Sequence, residues 1–309
     1  MQGAGLSQRW KGGNTADAAR RDISMKPMIT ALAAAVSLAG APAYSETFVL
    51  VHGAFQTAEG WDSVVAALEA RGHSAVAVNL PGRASDGRAL GEVTMADHVA
   101  AVSEAVTGAA TGAATGAATG ATGEGEVVLV GHSFGGMVIL AVAEAAPERI
   151  ASLVYVAAYL PRSGQSMQDL AASDHHNGFV EGSFVVAPDY SHATLNPDHR
   201  VAIFAADAPA DVANAIAAAM VDEPLQPVAT PVELTEARFG GVRKAYVATL
   251  ADNAVSLNLQ LTMNGRGTGR VAAPTVTAQR MLRWGRDQML DELKDRVVDA
   301  GLQSVHHGS

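Results

Sequence analysis

Cysteine is absent from all 309 residues. That excludes disulfides, a thiol nucleophile and thiolate metal sites, and it leaves the compartment unassigned. Positive charge is also short: 21 Lys and Arg against 31 Asp and Glu give a formal charge of −10, with no basic cluster along the chain. This balance disfavours nucleic acid and anionic membrane surfaces as partners. Charged residues make up only 17%, but 49% are hydrophobic, so a sizeable core is available and general disorder is excluded. No phosphate loop or metal-ligand cluster is present, and in "GEGEVVLVGHSFGG" the glycines flank a strand in the wrong order for a dinucleotide fingerprint. No cofactor and no metal are implied.

The N-terminus reads as targeting sequence. From Met25 it runs "MKPMITALAAAVSLAGAPAYSET", a lysine and an apolar run ending in Ala41-Pro42-Ala43, the A-x-A pattern of a signal-peptidase site. The apolar run, about 15 residues, is short of the roughly 20 that a membrane span needs. This predicts a signal peptide over about 25–45, a periplasmic or secreted mature protein and no stable membrane insertion. Residues 1–24 are polar and Gly/Ala-rich, consistent with an upstream start codon, and Arg20-Arg21 gives a weak twin-arginine resemblance.

After residue 46, strand and helix signatures alternate, which predicts a parallel sheet flanked by helices. Strand runs are "TFVLVHG" (47–53), "SAVAVNLPG" (74–82), "VVLV" (127–130), "ASLVYVAAYLP" (151–161) and a further strand opening 242–254; helices fall at 61–72, 94–106 and 134–146. The Thr/Gly/Ala repeat at 107–126 has no large apolar side chain, so it is expected as a mobile surface loop. Residues 162–235 lose the alternation and read as an irregular helical insertion, a lid over a pocket.

The chemistry centres on Gly131-His132-Ser133-Phe134-Gly135, between an apolar strand and an apolar helix. A Gly-x-Ser-x-Gly in that position makes a turn so tight that only small residues fit beside the serine, whose hydroxyl is held clear of the sheet at a helix N-terminus. Ser133 is therefore the candidate nucleophile. The loop after the first strand, His52-Gly53-Ala54-Phe55, can bring a backbone N–H to the same place, so the N–H groups of Ala54 and Phe134 are the candidate oxyanion hole. The His52 side chain is expected to be a core histidine bonded to backbone.

These stretches, with "LVYVAAYLP" and "KAYVATLADNAVSLNLQ", resemble the α/β-hydrolase fold over about residues 47–262. The similarity is to the esterase branch that includes plant methylesterases, hydroxynitrile lyases and bacterial pyrethroid-type carboxylesterases. It implies an α/β architecture: a mostly parallel central sheet flanked by helices, with a helical lid, occupying 46–309 after an N-terminal extension of 1–45. It also implies that Asp252 is the triad acid; capping of the next helix is the competing role for that residue. His132 and Gln56 stand where the lyases carry other residues, which favours hydrolysis.

The base is the weak point. The resemblance places it after the last strand, around 277–282, but that window reads "TAQRML" and no histidine occurs between Asp252 and His306. Three readings stay open: "DRVVDAG" is the last strand and His306 or His307 is the base; the C-terminal segment has lost the pattern; or a lid histidine (His175, His176, His192 or His199) serves. The expected activity is hydrolysis of a small or medium apolar carboxylic ester through an acyl-enzyme, using Ser133, Asp252 and His306. The alternatives are a catalytically impaired binding protein and a hydroxynitrile-lyase-like enzyme.

Overall fold

A computed structural model describes residues 45–115, 125–265 and 271–272. In chain order the elements are β1 (Thr47–Val51), α1 (Asp62–Glu69), β2 (Ser74–Val78), α2 (Met95–Thr115), β3 (Val127–His132), α3 (Gly135–Ala145) and β4 (Ile150–Val156). Then come α4 (Met167–Ala172), β5 (Phe184–Val186), β6 (His192–Leu195), α5 (Pro197–Phe204), α6 (Ala210–Ala218), β7 (Glu223–Pro224) and α7 (Leu225–Ala229). The last are β8 (Lys244–Val247), α8 (Leu257–Asn264) and β9 (Val271–Ala272).

Six strands form one parallel sheet in the order β2-β1-β3-β4-β8-β9. The inner strands are apolar on both faces because both faces are covered. Alternate residues of β1 show how: Phe48 and Leu50 join Trp61, Val64 and Leu68 on one side. Val49 and Val51 join Met137, Leu140 and Leu153 on the other. The strand period of two thus assigns each side chain to a layer.

Two expectations change. The helix expected at 94–106 continues to Thr115, so the first part of the repeat is helical rather than loop. Alanine is the best helix former, Ala110 is fully buried, and the Thr107 and Thr111 hydroxyls donate back to the carbonyls of Ser103 and Thr107. Residues 116–124 lie outside the described residues. The lid is not purely helical either. It contains a three-stranded antiparallel sheet, β5-β6-β7, whose strands are too short to leave an alternating pattern.

The strand beside β8 is β9, with Tyr246 opposite Val271. "DRVVDAG", His306, His307 and residues 1–44 lie outside the described residues. No helix among the described residues is long and apolar enough to cross a membrane.

Trp61 is 1% exposed and is the largest side chain on its side of the sheet. Trp61→Ala is expected to lower stability by about 3–5 kcal/mol in urea unfolding; an unchanged midpoint would contradict this packing.

Candidate active site

At the end of β3 the backbone turns into α3 through Ser133, which has a left-handed φ of 50°. Such a conformation costs a non-glycine residue about 1–3 kcal/mol and persists only where its surroundings enforce it. Here they do. A Cβ on Gly131 would lie 2.7 Å from the Gly135 carbonyl oxygen, one on Gly135 would lie 2.6 Å from that of Val51, and one on Gly136 would collide with that of Tyr159. The Ser133 N–H donates to Val156 (3.3 Å), and its carbonyl accepts from Gly136 and Tyr159 (3.0 Å each). The serine is thus held between β4 and the first turn of α3, at the C-terminal edge of the parallel sheet where open α/β folds place their sites.

The loop after β1 comes up against it. A Cβ on Gly53 would be 2.9 Å from both the Ser133 Cβ and the His132 Nδ1. His52 behaves as a core residue: its Nε2 accepts from the Leu80 N–H (3.1 Å), so Nδ1 carries the proton and donates to the Gly53 carbonyl (2.9 Å). Burial, then the nearby Arg83 charge, hold it well below the ordinary histidine range. Phe55 also has a left-handed φ, 63°. Its N–H donates to Glu223 Oε2 (2.6 Å), its carbonyl accepts from the Val221 N–H (3.1 Å), and the Gln56 carbonyl accepts from Arg83 Nε (2.6 Å). The N–H groups of Ala54 and Phe134 have no hydrogen-bond partner among the described residues.

Asp252 follows β8. Its Oδ1 accepts the N–H groups of Ala254 and Val255 (2.9 Å each), and Oδ2 accepts the Thr249 hydroxyl (3.2 Å). It does not cap α8. Ser256 does, accepting from the Leu259 N–H, and Asp174 of the lid grips Ser256 through its N–H (2.8 Å) and hydroxyl (2.5 Å). Gln260 holds the same loop by accepting from the Thr249 N–H (2.9 Å) and donating to the Val255 carbonyl (2.7 Å).

Ser133 and Asp252 line one narrow cleft with His132, Ala157, Ile203 and Phe204. Ser133 and Ala54 also line a larger cavity of about 220 Å³, walled by Phe55, Phe179, Phe184 and Phe204. Its Asn177 is spent on local bonds, donating to the Asp174 carbonyl and accepting from the Phe179 N–H, so the chamber suits an apolar ligand. Gln56 lines neither space; its Oε1 accepts from the Gly53 N–H (3.4 Å) and His132 Nδ1 (3.2 Å).

Among the described residues the only histidine lining the cleft is His132, whose burial pushes its pKa down to about 3. The lid histidines are elsewhere. His175 and His176 are exposed, His192 faces Ser191 (2.8 Å) and Asp222 (3.8 Å), and His199 faces Ser183 (3.2 Å). Because β9 sits directly beside β8, the window where the resemblance put the base, 277–282, follows it closely, and that window too lies outside the described residues. The residues that sequence reasoning missed are Arg83, Glu223, Asp174 and Gln260. Arg83 and Glu223 are 140 residues apart, and nothing local marks them.

The profile of the alpha/beta hydrolase family matches residues 48–307, a span that includes the tail histidines. The chain belongs to that family. It is similar to esterase PIR7B of Oryza sativa subsp. japonica, 30% identical over 237 residues that cover 72% of this chain and 84% of the relative. A chloroplastic methylesterase-like protein of Arabidopsis thaliana is 29% identical over 227 residues, 70% of this chain. The chain spans 54% of the length of that relative and between 49% and 64% of three others of its kind. A solved pyrethroid hydrolase superposes with a TM-score of 0.66 at 20% identity, covering 83% of this chain and 99% of that one, which shows the shared fold. The names of these relatives support a carboxylic ester hydrolase.

Two outcomes follow from the packing. Gly53→Ala is expected to lose about 1–3 kcal/mol in urea unfolding, because its methyl group meets both Ser133 and His132. Stability is also expected to fall on acidification below pH 6.5. An unfolded histidine binds its proton near 6.5, whereas folded His98 and His132 do so only near about 4 and about 3, both through burial. Between those values the unfolded chain holds more protons, so each histidine destabilises the fold by up to about 1.4 kcal/mol per pH unit. Half-buried Glu46 and buried Glu223, pushed up by desolvation, act in the opposite sense. Unfolding titrations from pH 6.5 to 4.5 should therefore show a shallower slope in His98→Phe than in the parent.

Proposed function

We propose that this chain is a serine esterase that cleaves small to medium apolar carboxylic esters through an acyl-enzyme. The observation that carries the reading is the shared cleft: Ser133 and Asp252, far apart in the chain, line one narrow space that opens beside an apolar chamber. Ser133 attacks the ester carbonyl and the N–H groups of Ala54 and Phe134 receive the oxyanion. A histidine takes the serine proton and returns it to the leaving alcohol, and water then releases the acid. His306 is the proposed base and Asp252 the residue that orients it. The substrate is a small molecule; the acidic chain has no use for nucleic acid as a partner. Export through a signal peptide over about 25–45, to the periplasm or outside, completes the proposal.

A second reading is favoured by the position of β9. The last strand among the described residues, at 271–272, is followed by a window without histidine, as in a binding protein that kept the pocket and lost the base. A lyase reading has less support, since Gln56 is turned into its own loop and away from the chamber.

Hydrolysis of p-nitrophenyl acetate and butyrate separates the readings. Ser133→Ala and His306→Ala are each expected to lower turnover by roughly three to six orders of magnitude. Full activity in His306→Ala with loss in His307→Ala moves the base by one residue. A parent chain no faster than Ser133→Ala sinks the esterase reading in favour of the binding protein.

A further inference from the structure

The lid meets the oxyanion loop through one buried ion pair. Arg83 Nη2 lies 2.7 Å from Glu223 Oε2, with side chains 2% and 1% exposed. The same carboxylate oxygen accepts the Phe55 N–H at 2.6 Å, and Arg83 Nε donates to the Gln56 carbonyl at 2.6 Å. The other two atoms of the pair, Arg83 Nη1 and Glu223 Oε1, are buried with no partner among the described residues. A pair so incompletely satisfied is a poor stabiliser, because the desolvation of two charges is not recovered and an apolar replacement is often as stable. Its bonds instead converge on two adjacent loop residues. Phe55 is held in a left-handed backbone that a phenylalanine does not adopt unforced, and the preceding Ala54 lines the cavity that Ser133 also lines.

We propose that Arg83 and Glu223 are positioning residues, a buried latch by which the lid fixes the Phe55 backbone and so aims the Ala54 N–H at the developing oxyanion. The loop is packed at its other end by Gly53 against Ser133, and with the latch removed the Phe55 side keeps only the bond from the Val221 N–H to the Phe55 carbonyl (3.1 Å). The effect on rate rests on the esterase reading; the effect on loop order does not.

The test uses the full chain with Arg83→Met/Glu223→Leu, which removes both charges and keeps apolar volume, beside Glu223→Gln, which keeps an acceptor for the Phe55 N–H. Deuterium exchange of a peptide covering 53–57 and steady-state hydrolysis of p-nitrophenyl butyrate are measured, with circular dichroism melts to confirm the fold. The double variant is expected to stay folded and to exchange at 53–57 about tenfold faster or more. Its kcat should fall roughly 10- to 100-fold with KM held within about twofold, because a displaced oxyanion donor weakens the transition state and not substrate binding. Glu223→Gln should recover part of that kcat. A folded double variant with unchanged exchange and kcat overturns the latch, and so does a change in KM alone. Should the double variant fail to fold, the same two readouts on a second apolar pair, Arg83→Leu/Glu223→Met, decide in the same sense. An inert parent chain would sink the esterase reading, and exchange at 53–57 would then decide the latch by itself: faster supports it, unchanged overturns it.

Discussion

The rest of the site depends on how closely α3 approaches the end of β1. Gly135 packs its Cα onto the Val51 carbonyl with no room for a methyl group, and that contact fixes where the helix can begin. With the helix start fixed, the chain has only Ser133 and Phe134 in which to leave β3, and Ser133 absorbs the change of direction in its left-handed backbone. The position of the Ser133 hydroxyl, the unpaired Phe134 N–H at the helix start and the pressure of Gly53 on the serine all follow from that single steric constraint. It also explains why small residues crowd here in an otherwise Val- and Leu-rich region: the close contacts are between backbones, and any side chain would separate them.

Once Ser133 is placed, the loops around it are fixed by the lid. Asp174 fixes the loop carrying Asp252, and Glu223 fixes the loop carrying Ala54. Both ties are carboxylate-to-backbone bonds in dry surroundings, where a hydrogen bond is electrostatically stronger than in water and an unmade one is expensive. The segment that walls the apolar chamber therefore also sets the geometry on both sides of Ser133.

What was legible in the sequence follows the range of the interactions. β1 and β3 could be read because burial on both faces leaves unbroken Val/Leu runs, and the turn at Ser133 because its sterics are local to five residues. The three-stranded sheet of the lid could not, since β5 and β7 have three and two residues and neither offers a period to detect. The onward run of α2 into the repeat was missed because the absence of large apolar residues was weighed above the helix propensity of alanine. Asp252 came from a resemblance and not from its own surroundings. The partnership of Arg83 with Glu223 is long-range, and a lone arginine or glutamate in a sequence gives no sign of the other.

The lid enters the chain after β4 and leaves it before β8, so it interrupts the connection between Ser133 and Asp252 without contributing to the six-stranded sheet. This makes it a replaceable module in evolutionary terms. Its Phe and Met residues can be exchanged, and the range of accepted molecules can drift, while the strands beneath are untouched. The freedom has a boundary, though: a graft that brings new walls must also bring an acceptor for the Phe55 N–H and another for Ser256, or the new pocket will sit over a disordered centre.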